Sequence, residues 1–258
     1  MNPPEMETMS IELDGGVATV YFDRPEKLNA MNETMFNELG TAADYVRDDP
    51  DVKVAVITGR GRAFCAGIDL SSVTRFQGES ATAFRTTVRT IQRNFRAWEL
   101  IEKPVIAMVN GHCLGAGMEI ALACDMIVAS TEATFGLLEV NIGLVVDLGG
   151  SQRLPRFIGI HKAKELIMTG KKITAGEAER FGLLNSMCAP EELAATTRAL
   201  ADQLMSVNPV ALGLCKINID RGKGLSIESG LEYEAQSQSI AFSELMEQMR
   251  KAGEAEKK

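Results

Sequence analysis

The 258-residue chain is predicted to be an α/β protein built from stacked β-β-α units. Three observations predict it. Short runs of β-branched residues alternate with segments of helical period over roughly the first 190 residues, and glycine turns close each run. Beyond Pro190 the strand signals stop and only helical patterns remain.

Residues 10–13 and 17–22, joined by Asp14-Gly15-Gly16, have the composition of a β-hairpin. Asn32 is a candidate N-cap for a helix. Met35, Phe36, Leu39, Ala42, Ala43 and Val46 then recur at helical spacing up to a stop at Asp48-Asp49-Pro50. Residues 52–58, closed by Gly59-Arg60-Gly61, have the continuous apolar character of a strand buried on both faces. Residues 80–101 form an amphipathic helix with Phe84, Val88, Ile91, Phe95, Trp98 and Ile101 on one stripe. The pattern then repeats with a strand at 105–109, a turn at Asn110-Gly111 and a helix at 115–123. Short strands follow at 126–129 and 133–135. The chain divides into a β-β-α core, residues 1–190, and a helical region, residues 191–258. That region contains helical stretches at 191–205, 210–220, 226–239 and 242–251 and a charged tail, 253–258, expected to fray. The stripe Leu245, Met246 and Met249 either packs on its own subunit or covers a neighbour.

Composition removes several classes of function. Lysine and arginine number 27 against 35 acids, a net charge of −8, so no overall field attracts nucleic acid or an anionic membrane. Five cysteines without a C-x-x-C pair and only two histidines, His112 and His161, give no basis for a zinc site or a disulfide framework. No metal is expected. A chain this long buries roughly 70–75% of its unfolded surface without such staples. The first ten residues lack the basic flank and apolar run of a signal peptide, and no apolar run is long enough to span a bilayer. A cytoplasmic, reducing location is expected. With so little histidine, proton transfers fall to carboxylates.

Three segments pair glycine with reactive side chains. In the first, Ala63-Phe64-Cys65-Ala66-Gly67-Ile68-Asp69-Leu70, small residues let a ligand approach the backbone, and Asp69 is placed to cap the next helix. The second runs from Asn110 to Glu119. Its Gly115-Ala116-Gly117 opens a helix with bare N–H groups suited to a developing oxyanion, and Glu119 lies in the first turn. His112 and Cys113 are expected to be packed turn residues, because no acid neighbours the histidine in sequence. The third segment places Glu139 and Asp147 in an apolar run that includes Leu137, Leu138, Val145 and Val146. Carboxylates in such surroundings have the raised pKa that acid–base catalysis near neutrality requires.

In order and spacing these segments resemble the enoyl-CoA hydratase/isomerase, or crotonase, family. The likeness extends from Val17-Ala18-Thr19-Val20 and Arg24-Pro25 with Leu28-Asn29-Ala30, through Lys103-Pro104-Val105-Ile106-Ala107 and Cys124-Asp125, to Gly149-Gly150-Ser151-Gln152-Arg153-Leu154 and Thr169-Gly170. It implies a spiral of ββα turns, a C-terminal helical region used for trimerisation, and a homotrimer or dimer of trimers. It also implies an acyl-CoA thioester substrate, CoA being part of that substrate with no separate cofactor. The thioester oxygen would rest on the N–H groups of Ile68 and Ala116, and CoA against Lys27, Leu28, Ala30, Ala66, Gly67, Ile68, Asp69, Leu70 and Gly115. Arg24, Lys27, Arg60 and Arg62 either face the CoA phosphates or are scattered solvated charges.

The same resemblance maps the paired glutamates of hydratases onto Glu119 and Glu139. Syn addition of water to a trans-2-enoyl-CoA is therefore the leading expectation. Asp147 supplies the alternative, because dienoyl-CoA isomerases of the family resemble this chain in having three acids. Leu138 stands where a proline is common, and the tail around Met249-Arg250-Lys251 lacks the family's usual ending. A catalytically silent relative that binds RNA or acts as a scaffold is opposed by the negative charge and the intact acids.

Overall fold

A computed structural model describes residues 1–73 and 77–255 of the chain. Two sheets are wound side by side. The first contains β1 (Met9–Asp14), β2 (Val17–Phe22), β3 (Val54–Gly59), β5 (Val105–Val109), β7 (Met126–Ser130) and β10 (Ser186–Cys188), hydrogen-bonded in that order. The second contains β4 (Ala63–Cys65), β6 (His112–Leu114), β8 (Thr134–Gly136) and β9 (Ile173–Thr174). After the antiparallel hairpin β1-β2, all pairs in the first sheet are parallel. Successive turns of the chain thus lay one strand in each sheet: β3 then β4, β5 then β6, β7 then β8. The expected ββα spiral is present.

Helices close each turn. Asn32 caps α1 (Glu33–Asp48) by accepting a hydrogen bond from the Met35 N–H at 2.9 Å, and Ser80 caps α3 (Ala81–Leu100) by accepting from Ala83 at 3.2 Å. The short α2 (Leu70–Val73) and α4 (Ala116–Ala121) follow the second-sheet strands β4 and β6. β3 is buried along its whole length, as its run of valine, alanine and isoleucine requires. Phe22 and Phe64 meet edge to face at 5.3 Å beneath the sheets, and Trp98 and Phe95 of α3 are fully buried in the same core.

Several elements differ from the sequence expectation. His112 and Cys113 are strand residues rather than turn residues, and the His112 Nδ1 lies 2.8 Å from the Thr134 hydroxyl of the adjoining strand. Three residues are too few for strand periodicity to show in sequence. α5 (Gly150–Ile158), α6 (Ile160–Thr169) and α7 (Ala175–Arg180) complete the core. α8 (Leu193–Met205) and α9 (Pro209–Gly222) follow the predicted helical stretches. The last two predicted helices are one, α10 (Ile227–Ala255), because neither glycine nor proline interrupts the chain around Ile240. It packs on α9 and leaves Leu245, Met246 and Met249 exposed. Helix continues to Ala255 where fraying was expected from 253; the rest of that tail, 256–258, lies outside the described residues.

The loop after β2 is tied down by one side chain. Asn29 is fully buried with φ +57°, in the left-handed region that asparagine tolerates better than most residues. Its amide donates to the carbonyls of Arg60 (2.9 Å) and Ala63 (2.8 Å), and its oxygen accepts from the Arg24 N–H at 2.9 Å. Asn29→Ala leaves all three backbone groups without that partner. A loss of about 3 kcal/mol is expected in urea denaturation, and a loss below about 1 kcal/mol would refute this account of the loop.

Candidate active site

A cavity of about 380 Å³ opens between the second sheet's edge and α3. Ala66, Gly67, Ile68 and Leu70 line one side, Gly115, Ala116 and Glu119 the floor, and Leu138, Glu139, Asp147 and Leu148 the opposite wall. Phe84, Val88 and Ile91 of α3 supply an apolar flank. The three sequence segments, separated by up to eighty positions, therefore meet at one place.

The floor is backbone. Gly67, at φ +101°, and Gly115, at φ +51°, approach so closely that a Cβ on Gly115 would lie 3.5 Å from Gly67 Cα and 3.2 Å from Glu139 Oε1. Each glycine precedes one of the expected donors. Around Ile68, the Met31 N–H donates to Gly67 O and the Asp69 N–H to Met31 O, an arrangement that leaves the Ile68 N–H directed away from Met31. Ala116 is the first residue of α4, where a helix has no internal acceptor for the N–H. Among the described residues neither N–H has a hydrogen-bond acceptor.

The wall is acidic. Glu119 is 1% exposed, and its Oε1 accepts from the N–H groups of Leu148 and Gly150, both at 2.8 Å. Burial pushes its carboxyl up to about 8. The charges of Glu139 and Asp147 add to this shift, while the two N–H groups oppose it. Glu139 begins the 3-10 turn Glu139–Ile142 and is raised by burial and by Asp147. One of its oxygens, Oε2, is buried without a hydrogen-bond partner among the described residues. Asp147 is raised by burial as well. The apolar neighbours expected around these acids divide: Leu137 and Val146 are buried, whereas Val145 is 77% exposed.

The other sequence candidates lie beside the cavity without lining it. Lys27, Leu28 and Ala30 belong to a loop that pairs with the first segment, Ala66 N–H donating to Leu28 O at 3.0 Å. Asp69 accepts from the Ser71 N–H and hydroxyl and pairs with Arg24 at 3.0 Å; the Ser71 hydroxyl and then the Arg24 guanidinium hold it below its ordinary value. Asp69 is thus the expected cap of α2. Arg24 is held by that pair, and Arg60 stacks over Tyr21 at 3.5 Å and pairs with Glu12. Of the four basic residues only Lys27 and Arg62 are free among the described residues. The Leu148 and Gly150 N–H groups that hold Glu119 had no sequence signal beyond a glycine pair, since a backbone donor carries no residue identity.

The model of the enoyl-CoA hydratase/isomerase family matches residues 12–258. A Clostridium acetobutylicum protein named short-chain-enoyl-CoA hydratase is 38% identical over 93% of this chain and 91% of its own length. A peroxisomal Arabidopsis thaliana protein named Δ(3,5)-Δ(2,4)-dienoyl-CoA isomerase is 32% identical over 89% and 86%. A Thermobifida fusca protein solved in complex with CoA superposes with a TM-score of 0.86 at 31% identity, covering 95% of this chain and 99% of that one. The chain belongs to the enoyl-CoA hydratase/isomerase family.

Proposed function

We propose that this protein is an enoyl-CoA hydratase that adds water across the C2–C3 double bond of a trans-2-enoyl-CoA. The observation that carries the reading is the arrangement of two carboxyls, the buried Glu119 and the half-buried Glu139, beside two unpaired N–H groups, Ile68 and Ala116, in one apolar cavity. The thioester oxygen rests on the two N–H groups, which stabilise the charge that develops as the thioester becomes an enolate. Glu119 takes a proton from water as the hydroxyl adds to C3, and Glu139 gives a proton to C2. The product is a 3-hydroxyacyl-CoA. Glu119 has gained the proton that Glu139 lost, and exchange with solvent resets the pair.

Burial supports this division of labour. Two carboxyls facing each other across one apolar cavity titrate as a pair, so a single proton is shared over a range of pH. One group is then a base while the other is an acid. The Leu148 and Gly150 N–H groups stabilise the ionised form of Glu119 that acts as the base, against the burial that raises its proton affinity. The spiral core, residues 1–190, is assigned the site, and the helical region that begins at residue 191 is assigned the contacts with neighbouring subunits in a trimer or dimer of trimers. The exposed Leu245, Met246 and Met249 support that assignment. No helix among the described residues is long and apolar enough to cross a membrane, and a cytoplasmic location fits the free thiols of Cys65, Cys113 and Cys124.

Asp147 favours one second reading. It lines the same cavity and is raised by burial, so it is equipped to move a proton at a carbon further along the acyl chain, as a dienoyl-CoA isomerase requires.

Loss of enoyl absorbance on mixing with crotonyl-CoA tests hydration. Glu119→Gln and Glu139→Gln are each expected to lower kcat by about 10²–10⁴-fold with little change in KM; retention of wild-type kcat by either would remove that residue from the mechanism. The pH dependence of kcat/KM for hydration is expected to be bell-shaped, because below the pair's first ionisation there is no base and above its last there is no acid. The alkaline limb belongs near the Glu119 value of about 8, and a rate that keeps rising well beyond that pH would contradict the shared proton. For the second reading, incubation with a 3,5-dienoyl-CoA should yield the conjugated 2,4-diene. Asp147→Asn should abolish that product while sparing hydration; formation of the diene by Asp147→Asn would overturn the role of Asp147.

A further inference from the structure

Arg153 occupies the first turn of α5, a place where the helix dipole disfavours a cation. Its side chain is engaged on three sides. Nε and Nη2 donate to the two oxygens of Glu99 on α3 at 2.7 and 2.9 Å, and Nη1 donates to the Leu148 carbonyl at 2.9 Å. The pair is mostly buried, Arg153 being 14% exposed in its side chain, and a two-pronged contact of this kind fixes orientation as well as distance.

The clamped carbonyl belongs to the peptide plane between Leu148 and Gly149. On either side of that plane lie the two peptides whose N–H groups, those of Leu148 and Gly150, reach Glu119 Oε1 at 2.8 Å. Between them Gly149 stands at φ +111°, and a Cβ there would overlap the Arg153 guanidinium. The turn can adopt this path only with glycine, and a glycine turn is held in place only by what it contacts. From this geometry we infer that Arg153, anchored on Glu99, is a positioning residue for Glu119: it fixes the peptide plane that aims two N–H donors at the catalytic carboxylate.

Arg153 does not touch Glu119. The charged groups that face Glu119 are Glu139 and Asp147 on the opposite wall, while the nitrogen contacts of Arg153 go to Glu99 and Leu148. Its influence passes through the backbone donors. They favour the ionised form of Glu119, so loosening them raises the pH at which Glu119 loses its proton. The inference rests on the proposed role of Glu119 as a proton carrier, but the position of its titration is measurable without turnover.

The test is a ¹³C NMR titration of the Glu119 carboxyl carbon in glutamate-labelled protein, the signal being assigned by its loss in Glu119→Gln. Arg153→Met is expected to move the Glu119 midpoint to higher pH and to lower kcat by about 10–100-fold at nearly constant KM. Arg153→Lys restores one contact and should recover part of both. Glu99→Gln removes the anchor charge and should shift the midpoint in the same direction by less; it serves as the deciding variant if Arg153→Met fails to fold. A folded variant with the wild-type Glu119 midpoint overturns the inference, as does a fall in rate accompanied by a matching rise in KM and no shift. Wild-type enzyme inert towards enoyl-CoA would sink the hydratase reading and leave the NMR comparison intact.

Discussion

A carboxylate at 1% exposure in an apolar wall is tolerated only where other groups compensate for lost water, and Glu119 is such a group. Two peptide N–H groups supply part of that compensation, and a raised proton affinity supplies the rest. This constraint organises the molecule around it. α4 must begin just after Gly115 to bring Glu119 to the floor, and the turn before α5 must bend back at Gly149 to deliver its donors. Glu139 must stand across the cavity, with Gly115 bare enough to let it approach.

The spiral fold meets those demands economically. Each turn places a strand in the second sheet and leaves a backbone segment at the same end of it: β4 leads to Ala66–Leu70, β6 to Gly115–Glu119, and β8 to Leu137–Asp147. Successive chain turns therefore converge their loops at one edge, where a parallel sheet's strand ends provide ligand sites. Asn29 and the Arg24–Asp69 pair brace the first of these loops from outside. The last is braced by Arg153 and Glu99. The site is thus supported on both flanks by partly buried polar contacts, while its own acids remain under-satisfied, as the unpartnered Glu139 Oε2 shows.

In the proposed mechanism that contrast lets a chain poor in histidine assign proton transfer to carboxylates. Asp69, Glu165 and Glu247 are held below the ordinary carboxylate range by hydrogen bonds, from the Ser71 hydroxyl, from Lys162 and Lys171, and from Arg250 respectively. Glu119, Glu139 and Asp147 are raised by burial along one cavity, and neighbouring acids add to the rise at Glu119 and Glu139. Placement gives carboxylates the working range usually associated with imidazole.

Much of this was legible in the sequence. Apolar runs of five or six residues such as Val54–Gly59, helical stripes such as that of α1, and the capping residue Asn32 are local signals, and local geometry sets them. The glycine segments and the three acids in apolar or helix-start settings marked segments that the fold brings to one cavity. Three-residue strands such as His112–Leu114 were not legible, since a period of two cannot be recognised over so few positions. Nor was the engagement of Arg24 and Arg60 away from the cavity, because the choice of partner for a charged side chain depends on which distant segment folds against it. The backbone N–H groups that hold Glu119 and the arginine that holds their peptide plane belong to the same class. Residue identity determined which groups were available; only the tertiary structure decided which of them meet, because hydrogen bonds and desolvation act over a few ångströms in space and not along the chain.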